Sequence, residues 1–304
     1  MIMKSIFVQI TSYHDFELEK TILDAINKSS GINQINFGIH SIFYKDNLIG
    51  IPSLPNIKSV ISRAPENIGM GRGRALAHQF YSGEDYYLQI DSHSRFDKNW
   101  DSYLINLVDH YKSIGIKKPL ITNYPKLYWY EGDKETVRPI EDPVTHFYWK
   151  DRQRFKATRT PMQGTYCPAD FPTRSISVSG GSIFVEGKFM EPNELIFADG
   201  EEILMAARAY TMGYDLVVPT KQFMYHLYWE NDKDNKRRQV YPDFPELSAS
   251  LNQTSMDEIV NILTNGLVGD FRLGNERTLK EYGEYCGLDF NLGTIIQYGP
   301  EVIQ

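Results

Sequence analysis

Tyr86-Tyr87-Leu88-Gln89-Ile90-Asp91-Ser92-His93-Ser94-Arg95-Phe96 is an apolar, β-prone run that ends abruptly in a polar cluster. If Ile90 ends a strand, side-chain alternation puts Asp91 and His93 on the same side of the extended chain. Ligands of open α/β sheets sit at such carboxyl ends. A carboxylate oxygen and an imidazole nitrogen make part of a shell for a divalent metal such as Mn²⁺, which accepts both ligand types. An isolated Asp-x-His is more often a strand ending in an Asp turn with a surface histidine, so the surroundings decide its meaning.

Upstream, Lys4 to Thr11 reads as a buried strand, followed by a polar loop Thr11-Ser12-Tyr13-His14-Asp15. Asp15 is placed to cap a helix whose face is marked by Leu18, Ile22, Ala25 and Ile26, with Gly31 as its stop. Gln34 to Tyr44 and Ser59 to Ser62 read as the next two strands. This strand–loop–helix–strand opening predicts a Rossmann-like start, in which a nucleotide base lies near the loop after the first strand. Gly69-Met70-Gly71-Arg72-Gly73-Arg74 lacks both the strict dinucleotide fingerprint and a Gly-Lys-Ser/Thr. Two readings stay open for it: a diphosphate cradle with two arginines, or a turn with solvated arginines.

Downstream, Trp100, Tyr103, Leu104, Leu107, Val108 and Tyr111 fall at helical spacing and predict a core face. Residues 124–175 read as irregular, with Tyr128-Trp129-Tyr130 and several prolines, the composition of a binding lid or of simple loop packing. Ser179-Gly180-Gly181-Ser182 interrupts a strand-like run, where glycine often marks close approach of a ligand or another backbone. Asp199-Gly200-Glu201-Glu202 opens an amphipathic helix that Gly213 stops. Strands are expected at Tyr214–Val218 and Gln222–Trp229, the second centred on His226. Helical patches near 255–264 and 277–286 complete the chain. The expected architecture is α/β, with a mixed central sheet flanked by helices in residues 1–240. Residues 241–304 are expected as a C-terminal helical extension packed on the same domain.

The whole chain sets bounds on these readings. It has 304 residues, 41% of them apolar and including 20 Tyr and 16 Phe, which suits a soluble protein with a sizeable core. A net charge of −7 gives no global attraction to nucleic acid or anionic membrane. Cys167 and Cys286 make neither a disulfide framework nor a zinc pattern, which favours a reduced, cytoplasmic setting. No stretch approaches the about 20 apolar residues of a membrane span, so neither anchor nor membrane partner is expected.

Several motifs now fall in one order: Ser12-Tyr13, Arg74, the Asp91-Ser92-His93-Ser94-Arg95-Phe96 segment with Trp100 after it, Gly180-Gly181, Gly200-Glu201-Glu202 and His226-Leu227-Tyr228. From about residue 4 to 290 the chain resembles the cytoplasmic polypeptide N-acetylglucosaminyltransferases that modify hydroxyproline. More distantly it is similar to the polypeptide N-acetylgalactosaminyltransferases. Both are retaining GT-A glycosyltransferases that use a UDP-sugar. The resemblance implies that Asp91, His93 and His226 hold Mn²⁺ or another divalent cation against the UDP diphosphate. It also implies that Thr11, Ser12, Tyr13, Arg74, Asp91, Ser92, Gly180 and Gly181 bind the donor. Asp199, Glu201 and Glu202 take the acidic catalytic positions, and the two glutamates match the motif better. UDP-GlcNAc is the implied donor. Acceptor contacts are expected from Tyr128, Trp129, Arg152 and Arg154, where the resemblance is weakest. The acceptor is then a hydroxyl on a protein, on a glycan or on hydroxymethylated bases of viral DNA. A metal-dependent nucleotide-sugar hydrolase is the rival class.

Overall fold

Alternation decides how the first strand is buried. In β1 (Ser5–Tyr13), Ile6, Val8 and Ile10 enter one apolar core while Phe7 enters a second on the opposite side. The decisive stretch repeats this in β4 (Tyr86–Asp91), with Tyr86, Leu88 and Ile90 against Tyr87. Strands buried on both faces belong in the middle of a sheet covered by helices on both sides. The computed structural model, which describes residues 3–45, 50–137, 144–149, 162–167, 174–228 and 237–296, has that form.

The remaining strands of the main sheet are β2 (Gln34–Phe43), β3 (Ile57–Arg63), β6 (Pro119–Thr122), β11 (Ser182–Glu186) and β12 (Asp215–Val217). Their order is β12-β6-β11-β4-β1-β2-β3, and β11 alone among these seven runs antiparallel to its neighbours. A second sheet is built from β5 (Ser94–Phe96), β7 (Lys126–Glu131), β8 (Lys134–Val137) and β13 (Met224–His226), in the order β5-β13-β7-β8. Two hairpin pairs complete the strands: β9 (Val144–Trp149) with β10 (Met162–Cys167), and β14 (Leu288–Asp289) with β15 (Thr294–Ile295).

One face of the main sheet is covered by α1 (Leu18–Lys28) and α3 (Trp100–Ser113), whose Leu18, Ile22, Ala25, Trp100, Leu104 and Val108 form the core on that side. Trp100 is fully buried and donates Nε1–H to the Ala25 carbonyl at 2.9 Å, so its ring area is buried without stranding the polar group. Helix α2 (Met70–His78) packs on β1 and β2. On the other face α4 (Glu201–Thr211) shares its core with Ile259, Ile262 and Leu263 of α6 (Pro245–Asn265) and Tyr282 and Cys286 of α7 (Leu279–Cys286). The short α5 (Val240–Asp243) leads into α6. Helix α7 begins with a reciprocal Thr278–Glu281 capping box and ends at Gly287, which adopts φ 77°.

Three sequence expectations change. Thr11 to Tyr13 form the end of β1 rather than a loop, because β2 carries its pairing on to Tyr13 while β4 pairs as far as Thr11. Asp15 does not cap α1; the N-cap position is Glu17, with no side-chain cap bond. Residues 124–175, expected as irregular, contribute four strands among their described residues.

Candidate active site

The chain leaves the main sheet at Asp91, bends over Ser92 and His93, and enters the second sheet at Ser94. Thr21 of α1 pins this bend: its hydroxyl donates to the Ser92 carbonyl at 2.7 Å and accepts the Ser94 N–H at 3.0 Å. Strand β13 then pairs antiparallel with β5 in the register His226↔Ser94, and Leu227 N–H donates to the His93 carbonyl at 3.1 Å. Strand pairing, not sequence proximity, therefore delivers His226 to Asp91 and His93. One ligand atom from each of the three side chains lies within 4.8 Å of the others. His226 Nε2 sits 3.1 Å from Asp91 Oδ2, and the two imidazole rings meet edge to face at 4.5 Å.

Asp91 and His226 line a cleft of about 620 Å³ whose wall also includes Arg74, Gly180, Gly181, Asp199, Glu201, Glu202, Tyr124 and Tyr228; His93 stands behind it. Arg74 pairs through Nη1 with Glu201 Oε1 at 2.6 Å and donates through Nη2 to the Gly180 carbonyl at 3.0 Å. That carbonyl also accepts from Gln89 Nε2 at 2.7 Å, while Gly180 N–H donates to Glu202 Oε1 at 2.9 Å. The glycine turn is thus held from three sides. Glycine gives the closest approach here: a β-carbon at Gly181 would stand 2.4 Å from Asp91 Oδ2, and one at Gly180 would press on the tip of the Arg74 side chain at 2.9 Å.

The electrostatics separate the acids. Burial raises Glu201, with the Arg74 charge opposing. It also raises Glu202 to about 7, an effect the Gly180 N–H moderates and the neighbouring Glu201 and Asp91 charges increase. For Asp91, burial is outweighed by the His226 hydrogen bond and by the charges of His226, His93 and Arg74, which hold it well below the usual carboxylate range. His226 is lowered to about 4, first by burial and then by the His93 charge. A neutral imidazole, an ionised carboxylate and a second imidazole form a donor set suited to a divalent cation such as Mn²⁺. His226 Nε2 stands 3.1 Å from Asp91 Oδ2, a contact in which the ring donates Nε2–H to the carboxylate; a bound cation would take the place of that proton.

Not every expected site residue reaches the cleft. Asp199 lines it and is tied to α6 by Asn252 Nδ2 at 3.3 Å. Thr11 is registered against Asp91 across the β1–β4 pair, Ser12 is buried, and the Tyr13 hydroxyl donates to Asp243 at 2.8 Å; none of the three is in the cleft wall. Ser92 is also buried and bonded to Asp15. Tyr128 is fully buried, with its hydroxyl on Glu17 at 3.1 Å and its ring 4.7 Å from the Arg95 guanidinium, a position that leaves no surface for an acceptor. Trp129 is half-buried and donates to Glu131, away from the cleft wall. Arg152 and Arg154 lie outside the described residues.

The glycine-rich stretch is no phosphate cradle. Gly71 and Gly73 lie inside α2, and the N–H groups of Met70 and Gly71 are spent on the Phe197 and Ile196 carbonyls. Both glycines serve packing, since a β-carbon would stand 2.0 Å from the Asn193 carbonyl oxygen at Gly71 and 2.2 Å from Thr11 Oγ1 at Gly73. Sequence reasoning missed Asp15, whose carboxylate binds both His93 and Ser92, and Gln89, whose β-strand position hides a polar role.

A mixed sheet with an Asp-x-His bend at the carboxyl end of a central strand, facing a glycine turn and paired glutamates, defines a GT-A fold. Residues 55–267 match the family model described as Glycosyltransferase (GlcNAc), and the chain belongs to that family. Among solved structures it is similar to GalNAc-T7 with UDP, GalNAc and Mn²⁺, at 14% identity, covering 74% of this chain and 44% of that one, with a TM-score of 0.53. The chain therefore spans less than half the length of that relative. S. aureus TarS 1–349 with UDP-GlcNAc is 14% identical over 93% of this chain and 70% of that one, with a TM-score of 0.45. None of the curated proteins matches. Among the described residues no helix is long and apolar enough to cross a membrane.

Proposed function

We propose that this protein is a metal-dependent retaining glycosyltransferase that moves a sugar, GlcNAc, from its UDP donor to a hydroxyl of a macromolecular acceptor. The observation that carries this reading is the convergence of Asp91, His93 and His226, two of which, Asp91 and His226, line the 620 Å³ cleft. Asp91, His93 and His226 would hold the cation, which when bound supplies positive charge against the departing diphosphate. Arg74, almost fully buried, presents a second fixed positive charge in the same wall. Its pairing with Glu201 keeps the guanidinium oriented before the donor arrives. Gly180 and Gly181 leave room for a sugar ring to approach the backbone closely. Glu202, raised to about 7, offers a carboxyl that changes charge near neutral pH beside the reacting sugar. In the reaction the acceptor oxygen bonds to the anomeric carbon on the face that UDP leaves. The bond from that carbon to the β-phosphate oxygen breaks, and the hydroxyl proton passes to a diphosphate oxygen. No protein nucleophile is needed. The proposed setting is cytoplasmic, with a protein or another hydroxylated macromolecule, such as modified DNA, as acceptor.

The test is a screen of UDP-sugars with and without Mn²⁺, reading UDP release together with acceptor mass and the anomeric configuration of the product by NMR. UDP release that requires Mn²⁺ and accompanies an α-linked product supports the reading. Free sugar released at the same rate with or without any acceptor would make the protein a hydrolase.

A further inference from the structure

His93 has two ring nitrogens, and the structure accounts for one of them. Its Nδ1 lies 2.6 Å from Asp15 Oδ2, a carboxylate contributed by the turn after β1 and outside the residues matched by the family model. We infer that Asp15 is a positioning residue: it fixes His93 as the Nδ1–H tautomer and so turns the lone pair of Nε2 toward Asp91 and His226. The inference rests on the proposed metal-dependent function and adds to it the group that sets the geometry of one ligand.

Three observations support it. First, Asp15 is itself held rigidly. It is buried, its Oδ1 accepts the Glu17 N–H at 2.9 Å, and its Oδ2 accepts the Ser92 hydroxyl at 2.7 Å as well as His93. A carboxylate fixed on both oxygens can impose a direction on an imidazole, which a solvated one cannot. Second, the turn that carries Asp15 is cross-braced to the strand beyond His93. Arg95 is 2% exposed and pairs with Glu17, and the Tyr128 and Tyr130 hydroxyls reach the same glutamate at 3.1 and 2.9 Å. Residues on both sides of His93 therefore hold the turn bearing its partner. Third, the contacts themselves place the proton. Asp15 already accepts the Glu17 N–H on Oδ1 and the Ser92 hydroxyl on Oδ2, so it acts as an acceptor, and the hydrogen in its 2.6 Å contact with His93 lies on Nδ1. That leaves Nε2 as the free donor atom, the arrangement that orients metal-binding histidines in general.

The buried ion pair around Glu17 explains why this brace is built from charge. Burying Arg95, Glu17 and Asp15 together is costly unless each is paired, and each is. The return is a site whose ligand direction is set before any cation enters.

The experiment measures Mn²⁺ affinity by isothermal titration in the absence of donor, for the wild type, Asp15→Asn and Asp15→Ala. Asp15→Asn keeps an oxygen that accepts the Nδ1–H and should bind within a few-fold of wild type. Asp15→Ala should bind about 10- to 100-fold more weakly. Equal affinity in a folded Asp15→Ala, or a loss in Asp15→Asn as large as in Asp15→Ala, would overturn the positioning role. If wild type bound no Mn²⁺ at all, the metal-dependent reading would fall instead, and this inference with it. Should Asp15→Ala not fold, the wild type answers alone. Long-range ¹H–¹⁵N NMR correlations at about pH 8 should report His93 as the Nδ1–H tautomer, and an Nε2–H tautomer would refute the inference.

Discussion

Replacing Gly181 with alanine isolates one contact in the proposed centre. Gly181 is absent from the glycines that adopt positive φ, so the added methyl meets no backbone penalty. What it meets is Asp91, at 2.4 Å from Oδ2 and 2.8 Å from Cγ, and ordinary contact begins near 3.4 Å. The glycine cannot yield easily, because the next residue, Ser182, is registered against Ile90 in the sheet and the Gly180 carbonyl is held by Arg74 and Gln89. The Asp91 carboxylate must retreat instead, which parts it from His226 Nε2. A displacement approaching 1 Å is several times the about 0.2 Å tolerance of a metal–ligand distance. Misplacement on that scale costs about 100-fold in rate, and overpacking costs about 1–3 kcal/mol of stability. The expected result is a folded protein, melting a few degrees lower, with Mn²⁺ affinity reduced at least tenfold and UDP release from UDP-GlcNAc reduced about 100-fold. Calorimetric Mn²⁺ titration, a coupled UDP assay and thermal unfolding measure the three. A folded Gly181→Ala with wild-type affinity and turnover would refute both the contact and the role given to Asp91.

Arg74→Ala should reduce UDP-sugar use at least tenfold, the scale of a lost charge-assisted bond at about 1.5–3 kcal/mol; unchanged steady-state constants would remove Arg74 from the donor site. Tyr128→Ala should lower stability by about 3–5 kcal/mol through loss of a buried ring, and Tyr128→Phe by about 1 kcal/mol. An effect of Tyr128→Phe on acceptor choice without an effect on stability would contradict its burial. Glu202 has a folded pKa raised to about 7, so the stability of its protonated form is complete below its ordinary 4.5 and is lost as pH rises through 7. The melting temperature of Glu202→Gln should therefore gain on wild type between about pH 5 and pH 8, whereas parallel pH profiles would show that the carboxyl is not raised.

Legibility of the sequence followed the range of the physics involved. Short-range rules sufficed for β4, α3 and α4, whose apolar periods are read within one element. For Asp91 and His93 they went only as far as placing the pair at a strand end; whether the pair holds a metal was left to its surroundings and to the motif order. His226 differs: its relation to Asp91 depends on β13 pairing with β5, a contact spanning some 130 residues that no local pattern encodes. Only the motif order brought it in. Asp15 was hidden by ambiguity, since an aspartate between a strand and a helix looks like a cap. Tyr128 was misjudged for a related reason. An aromatic in a polar, proline-punctuated stretch looks exposed until Arg95 and Glu17 are seen to enclose it. Gly71 and Gly73 suggested a phosphate cradle because glycine serves loops and tight packing alike, and sequence alone does not separate the two.

The bend at Ser92 and His93 has a mechanical consequence. Asp91 ends a central strand of the large sheet, His226 lies within the small one, and His93 sits in the two-residue crossing between them. A grip on all three side chains is thus a rivet through a seam. Opening the seam would separate the ligands without breaking a single rung of either ladder. The loaded and unloaded molecule would then differ first in how stiffly the two halves of the cleft are joined, and only afterwards in what the cleft contains.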